Sequence, residues 1–167
     1  MQLDNPLWHY VSAVYISAEI ERLCLQAQSY GLQVNSLLLC GWLTQQRQRY
    51  QAAAYRDNDA GWRTSFLLPL RQLRYQLREQ VASQPSLSTC YAELKNAELE
   101  MERVDIALLW ERAQSAPAAD PVSSPQVLME QNLRAYVDSQ GGLHQKSSCW
   151  TCCQQLGRAF LQLPASS

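Results

Sequence analysis

The chain has only two histidines, no nucleotide-binding glycine motif, no long apolar run and a net charge of −1 at pH 7. Each shortage removes a class of function. With His9 and His144 alone there is no H-E-x-x-H zinc helix. The E-x-x-H pairs of a di-iron bundle are missing despite Glu93, Glu98, Glu100 and Glu102. Neither histidine belongs to a recognisable Ser-His-Asp or Cys-His arrangement. No G-x-G-x-x-G or Walker loop is present to cradle a phosphate. The longest apolar stretch, Leu37 to Leu43, is far below the ~20 residues of a spanning helix, so no membrane is expected. Nucleic acid calls for a large basic excess with aromatic platforms, which this charge balance does not supply. The opening MQLDNPLW has neither the basic n-region nor the apolar h-region of a secretory signal. The expected address is the cytoplasm, where the six cysteines would be thiols. Together these shortages lead us to expect a non-catalytic protein without a cofactor.

What the 167 residues do contain is helical periodicity. Asn5 and Pro6 open a helix whose Leu7, Tyr10, Val11, Val14 and Tyr15 share a side, with Trp8 flanking and His9 opposite. Ser17 caps the next, with a stripe of Ile20, Leu23, Cys24 and Ala27 and a stop at Gly31. The third segment, VNSLLLCGWL, is apolar around nearly its whole circumference, as a helix buried on several sides must be. A strand from Ser36 to Cys40 is the competing reading, disfavoured by the absence of other β-branched runs. Further on, Trp62, Phe66, Pro69, Leu70, Leu73 and Leu77 form one face and Arg71, Arg74 and Arg78 another. Pro69 should kink or break that helix. A long helix from Leu87 to about Ser115 follows, with Leu94, Ala97, Met101, Val104 and Leu108 in register, and the two form an antiparallel pair joined near Gln84 and Pro85.

The chain therefore reads as a single all-α bundle of five to seven helices around a leucine-rich central one. Residues 1–114 form the expected core, 115–125 a Pro/Ala/Ser-rich mobile or exposed loop, and 126–167 a helical extension packed on that core. The extension carries SSCWTCCQQLG. Cys149, Cys153, Leu156, Phe160 and Leu163 share a helical face, with Cys152 at its edge, so packed thiols are the first explanation. A redox pair of Cys149 and Cys152 would need a helix amino terminus to activate the nucleophile, yet the strand of a βαβ context is missing. A zinc site would need His144, Cys149, Cys152 and Cys153 together.

Charge is uneven. Arg47 to Arg78 sums to +5, and Glu79 to Arg112 to −4. Cross-helix ion pairs on solvated faces explain this simply; alternatively Arg71, Arg74 and Arg78 form a row that grips an acidic protein, phosphate or nucleic acid.

The segments PLWHYVSAVY, VNSLLLCGWL, WRTSFLLPLRQLRYQL and ELKNAELEMERV resemble a family of uncharacterised proteobacterial proteins, small and helical, over roughly residues 6 to 110. The resemblance implies a bacterial cytosolic protein and supplies no activity. Trp8, Tyr15, Asn35, Trp42, Trp62 and Arg71 occupy its matching positions. Asn35 reads as a helix cap, and Arg71 is the least core-like of the set. The family pattern has an acid where this chain has His9, and CWTCC lies outside the similar region. The leading expectation is an interaction or adaptor protein that binds another protein. Its sites would be the arginines 71, 74 and 78 or an aromatic groove near Trp8 and Trp62, with His9 a further candidate. The alternative is a ligand-binding or enzymatic protein with a pocket between aromatic helices, and the third a thiol or zinc protein.

Overall fold

Eight α-helices and no strand account for the regular structure among the described residues, which in this computed structural model are 1–56, 61–119, 122–141 and 147–163. They are α1 Pro6–Val14, α2 Ala18–Ser29, α3 Val34–Gln45, the single turn α4 Ala52–Tyr55, α5 Leu68–Val81, α6 Ser88–Ala113, α7 Pro125–Asp138 and α8 Ser147–Leu161. Among the described residues, no helix is long and apolar enough to cross a membrane.

The first two helices start, and α2 stops, where their sequences direct. Asn5 accepts from the Trp8 N–H at 2.9 Å with Pro6 in the first turn, and Ser17 caps α2. Gly31, at φ 94°, ends α2 with a Schellman pair in which Gly31 N–H donates to Gln28 and Leu32 N–H to Ala27. Every residue of α3 from Ser36 to Thr44 is buried, because α1, α2, α6, α7 and α8 all touch it. Gly41 permits two of these approaches. A Cβ there would lie 2.3 Å from the Tyr10 hydroxyl and 3.1 Å from the Phe160 ring.

The two C-terminal helices belong to the same core. Met129, Leu133, Tyr136 and Val137 of α7 and Cys149, Cys152, Cys153, Leu156 and Phe160 of α8 join one hydrophobic cluster with α1, α2 and α3. Asn132, 1% exposed, is their polar bolt. Its amide donates to Thr44 Oγ1 and to the Gln48 carbonyl, both at 3.1 Å, and its oxygen accepts from the Tyr50 N–H at 2.8 Å. The Pro/Ala/Ser-rich segment is held at its start. Arg49 N–H donates to the Pro117 carbonyl at 2.8 Å and Ala119 N–H to the Arg47 carbonyl at 2.7 Å; residues 120 and 121 lie outside the described set.

The α5–α6 pair is divided at Pro69 as expected: a π-helical turn, Arg63–Leu67, precedes α5, Leu68 N–H donates to Arg63, and Pro69 sits in the first turn of α5. The widened turn absorbs the missing proline N–H at the start of α5. The apolar stripes lie elsewhere than periodicity placed them. No residue of α5 is buried, and Phe66 and Leu73 are each 51% exposed. On α6 the buried residues are Glu98, Asp105, Ile106, Ala107, Leu109 and Ala113, whereas Ala97 is exposed and Leu94, Met101, Val104 and Leu108 are half-buried.

Candidate functional site

The buried acids of α6 explain where the arginines went. Arg71 donates from Nε to Glu98 at 2.9 Å and from Nη2 to Glu102 at 2.5 Å, and Arg74 donates to the other Glu98 oxygen and, at 3.4 Å, to the Tyr91 hydroxyl. The side chains of Glu98, Arg71 and Arg74 are only 9%, 13% and 14% exposed. Arg71 and Arg74 are therefore internal ties of the hairpin rather than an outward row. Arg78 alone of the three is exposed, its guanidinium 5.1 Å from the Tyr75 ring, which Arg74 also faces at 4.6 Å.

A second polar knot lies one step along. Arg63 donates to Asp105 at 2.7 Å and to Ser36 Oγ at 3.0 Å, and Asn35 donates to the other Asp105 oxygen at 2.9 Å. Asn35 is thus not the cap of α3, a position held by Gln33, but its tie to α6. Sequence reasoning missed Glu98, Glu102, Asp105 and Arg63. The signal that could have found them was the opposite charge of two stretches forming one hairpin.

Above the first network lies a groove of about 370 Å³ between α1–α3 and the hairpin. Trp8, Tyr15, Leu38, Leu25, Tyr75 and Leu99 form its walls, with Arg71, Arg74, Glu98 and Glu102 below. Trp8 is half-buried with Arg103 5.2 Å from its ring. His9 points away and pairs with Asp4 at 2.9 Å, both exposed. Trp62 does not line the groove. Its ring meets Phe66 at a tilt, 4.9 Å between centroids, and it donates to the Met101 carbonyl at 3.0 Å.

Glu98 and Glu102 titrate in opposite senses. Burial disfavours the Glu98 carboxylate, but hydrogen bonds from Arg74 and Arg71 outweigh it and hold its pKa below the ordinary value. For Glu102 burial is the largest influence, and Arg71 does not cancel it, so its pKa is raised. The Glu98 contribution to stability is present above the unfolded carboxylate pKa of ~4.3 and lost as pH falls through the depressed folded value. The Glu102 contribution is present below that unfolded value and lost as pH rises through the raised one. Urea titrations across acid pH should therefore show Glu98→Gln flattening the acid loss of stability and Glu102→Gln deepening it. Parallel curves for both variants and the parent would mean that the network does not couple to folding.

The cysteine cluster is packed away. Cys149, Cys152 and Cys153 are at most 1% exposed, as are Cys24 and Cys40, and no disulfide joins any of the six. Cys152 Sγ lies 3.5 Å from the Leu23 carbonyl. Burial pushes the Cys152 thiol up, and with Cys149 nearby pushes Cys153 up to about 12, the opposite of an activated nucleophile. His144 lies outside the described residues, and among those described no three His, Cys, Asp or Glu side chains are placed to hold a metal.

A family model described as Protein of unknown function (DUF2390) matches residues 6–109. The chain belongs to this family. The DUF2390 region runs from the start of α1 through most of α6, so the groove, the hairpin and both polar knots lie inside it, while α7, α8 and CWTCC lie beyond. No curated protein and no solved structure matches the chain.

Proposed function

We propose that this DUF2390 protein is a non-catalytic interaction protein whose α5–α6 hairpin takes an amphipathic helix of another protein. The observation that carries this reading is the half-covered seam of the hairpin. Leu70, Leu73 and Leu77 on α5, and Leu94, Ala97, Met101, Val104 and Leu108 on α6, repeat at spacings of three and four, the period by which helices recognise helices. Two helices alone cover such a seam only in part, and none of these residues is buried. A third helix would complete it. The groove on the Arg71 side supports the same class of function over a small-ligand pocket, because Arg71 and Arg74 give their donors to Glu98 and Glu102. We take the setting to be the bacterial cytoplasm, in keeping with six cysteines that form no disulfide.

A photo-crosslinking residue at position 73 should capture one partner in cells and map to a single helix of it, whereas the same residue at Ile16, 85% exposed but off the seam, should not. Ala97→Glu, at another exposed position of the seam, should abolish the crosslink from position 73 and change folding stability by no more than about 0.5 kcal/mol, as for other exposed positions. Crosslinks to a second copy of the chain would assign the seam to self-association. Equal capture from positions 73 and 16 would sink the proposal.

A further inference from the structure

On the opposite side of α3 from the groove's charged floor is a second cavity that the hairpin reading leaves unused. It measures about 350 Å³ and is walled by Tyr50, Tyr55, Tyr136, Ser36, Arg56 and Arg63, with the first turn of α3 at its edge. This is within the size range of small-molecule sites. Three properties set it apart from the groove.

The first is an unsatisfied group. Tyr55 is 4% exposed, lines the cavity, and its buried hydroxyl has no hydrogen-bond partner. Such a hydroxyl costs about 1–3 kcal/mol unless something accepts from it or donates to it. The second is charge. Two arginines line the cavity and no carboxylate does so among the described residues. Asp105 stands behind Arg63, holding its Nε at 2.7 Å, while Ser36 accepts from Nη1 at 3.0 Å, so the guanidinium is fixed in place. The third is the helix end. No side chain caps α3, and Gln33 and Ser36 of its first turn line the cavity, which turns the positive end of a twelve-residue helix toward it.

We infer that this cavity binds a small organic anion, its carboxylate or phosphate group held between Arg63, Arg56, the Tyr55 hydroxyl and the start of α3, and its body against the tyrosine rings. The rings are preorganised for that body: Tyr55 stacks on Tyr50 at 4.8 Å, and Tyr50 meets Tyr136 edge-on at 5.8 Å. Burial keeps all three hydroxyls protonated, and that of Tyr55 is pushed up to about 12, so each remains a donor at neutral pH. Tyr136 also fixes the α3 entry, accepting from the Gln33 N–H at 2.6 Å. Tyr136 comes from α7, beyond the DUF2390 match, so the site is completed only where the C-terminal helices dock.

The test is a titration of the full chain with phenyl phosphate, benzoate and inorganic phosphate, followed by amide NMR shifts and thermal melting. Saturable shifts at residues 33–37 are expected with at least one organic anion, with inorganic phosphate weaker because it leaves the rings bare. Preference for phenyl phosphate or for benzoate identifies the headgroup. Tyr55→Phe and Arg56→Gln, neither of which removes a tie of the fold, should each weaken binding about tenfold, the loss of one charge-assisted hydrogen bond. Binding that both variants leave unchanged, or the absence of saturable shifts with all three probes, overturns the inference.

Discussion

A chain ending at Gln114 is expected to lose its cooperative fold rather than merely become shorter. Such a chain keeps α1 to α6 and the whole DUF2390 match. It loses Met129, Leu133, Tyr136, Val137, Leu156 and Phe160, all buried against α2 and α3. Full burial of side chains of this kind is worth ~1.5–3 kcal/mol each. Removing six of them forfeits ~9–18 kcal/mol, as much as the ~5–15 kcal/mol by which a domain is stable. The polar loss adds to it, since Asn132 is the partner of the Tyr50 N–H and the Gln48 carbonyl. Leu37 to Leu43, buried all round in the full chain, would then face water on one side. The expected readout is retained helical circular dichroism with a broad urea transition, dye binding and collapsed amide dispersion. A sharp transition and native-like amide spectrum for residues 1–114 would show instead that the family region is an independent domain.

The second large effect concerns the ion-pair network. Arg71→Glu combined with Arg74→Glu is expected to unfold the hairpin or the whole chain. The two arginines are the donors to Glu98, whose side chain is 9% exposed, and reversing them surrounds a buried carboxylate with two more. Removing one partner of a buried pair costs ~3–5 kcal/mol, so reversing both consumes much of the stability of a domain this size. Acid should partly rescue the variant by protonating the crowded carboxyls, a reversal of the pH trend of the parent at Glu98. The control is Arg78→Glu, on an exposed arginine that serves no carboxylate tie; it should melt with the parent. A neutral replacement, Arg71→Met, Arg74→Met and Glu98→Leu together, should recover most of the loss, with Glu102 at 32% exposure left to water. If the double reversal melts normally, the arginines point outward in solution and their row returns as a binding face.

Position 71 also shows why part of the site was illegible. In sequence, Arg71, Arg74 and Arg78 look alike, three cations at helical spacing. Only the pairing of α5 with α6 sends the first two inward and leaves the third in water. The same holds for Glu98: by periodicity the apolar stripe of α6 is Leu94, Ala97, Met101, Val104 and Leu108, yet the buried face includes Glu98 and Asp105. A hydrophobic pattern cannot report a buried face built from matched charges, because each charge is unfavourable there until the other helix supplies its partner. Pro69 marked the division of its helix, but that the piece before it is π-helical leaves no mark in composition. Asn35 has the chemistry of a cap and sits two residues too late to serve as one, tied instead to Asp105.

By itself the sequence determined the helical class, the caps at Asn5 and Ser17, the Gly31 stop, the central burial of Leu37 to Leu43 and the apolar role of Cys149, Cys152 and Cys153. These follow from interactions within one or two helical turns, or from a circumference with no polar side to show water. The tertiary structure alone decided that Arg63, Arg71 and Arg74 are internal, that the hairpin seam is left half-covered, and that α7 closes a cavity around Tyr55. Each of those depends on groups distant in the chain whose burial is favourable only when the other is already there.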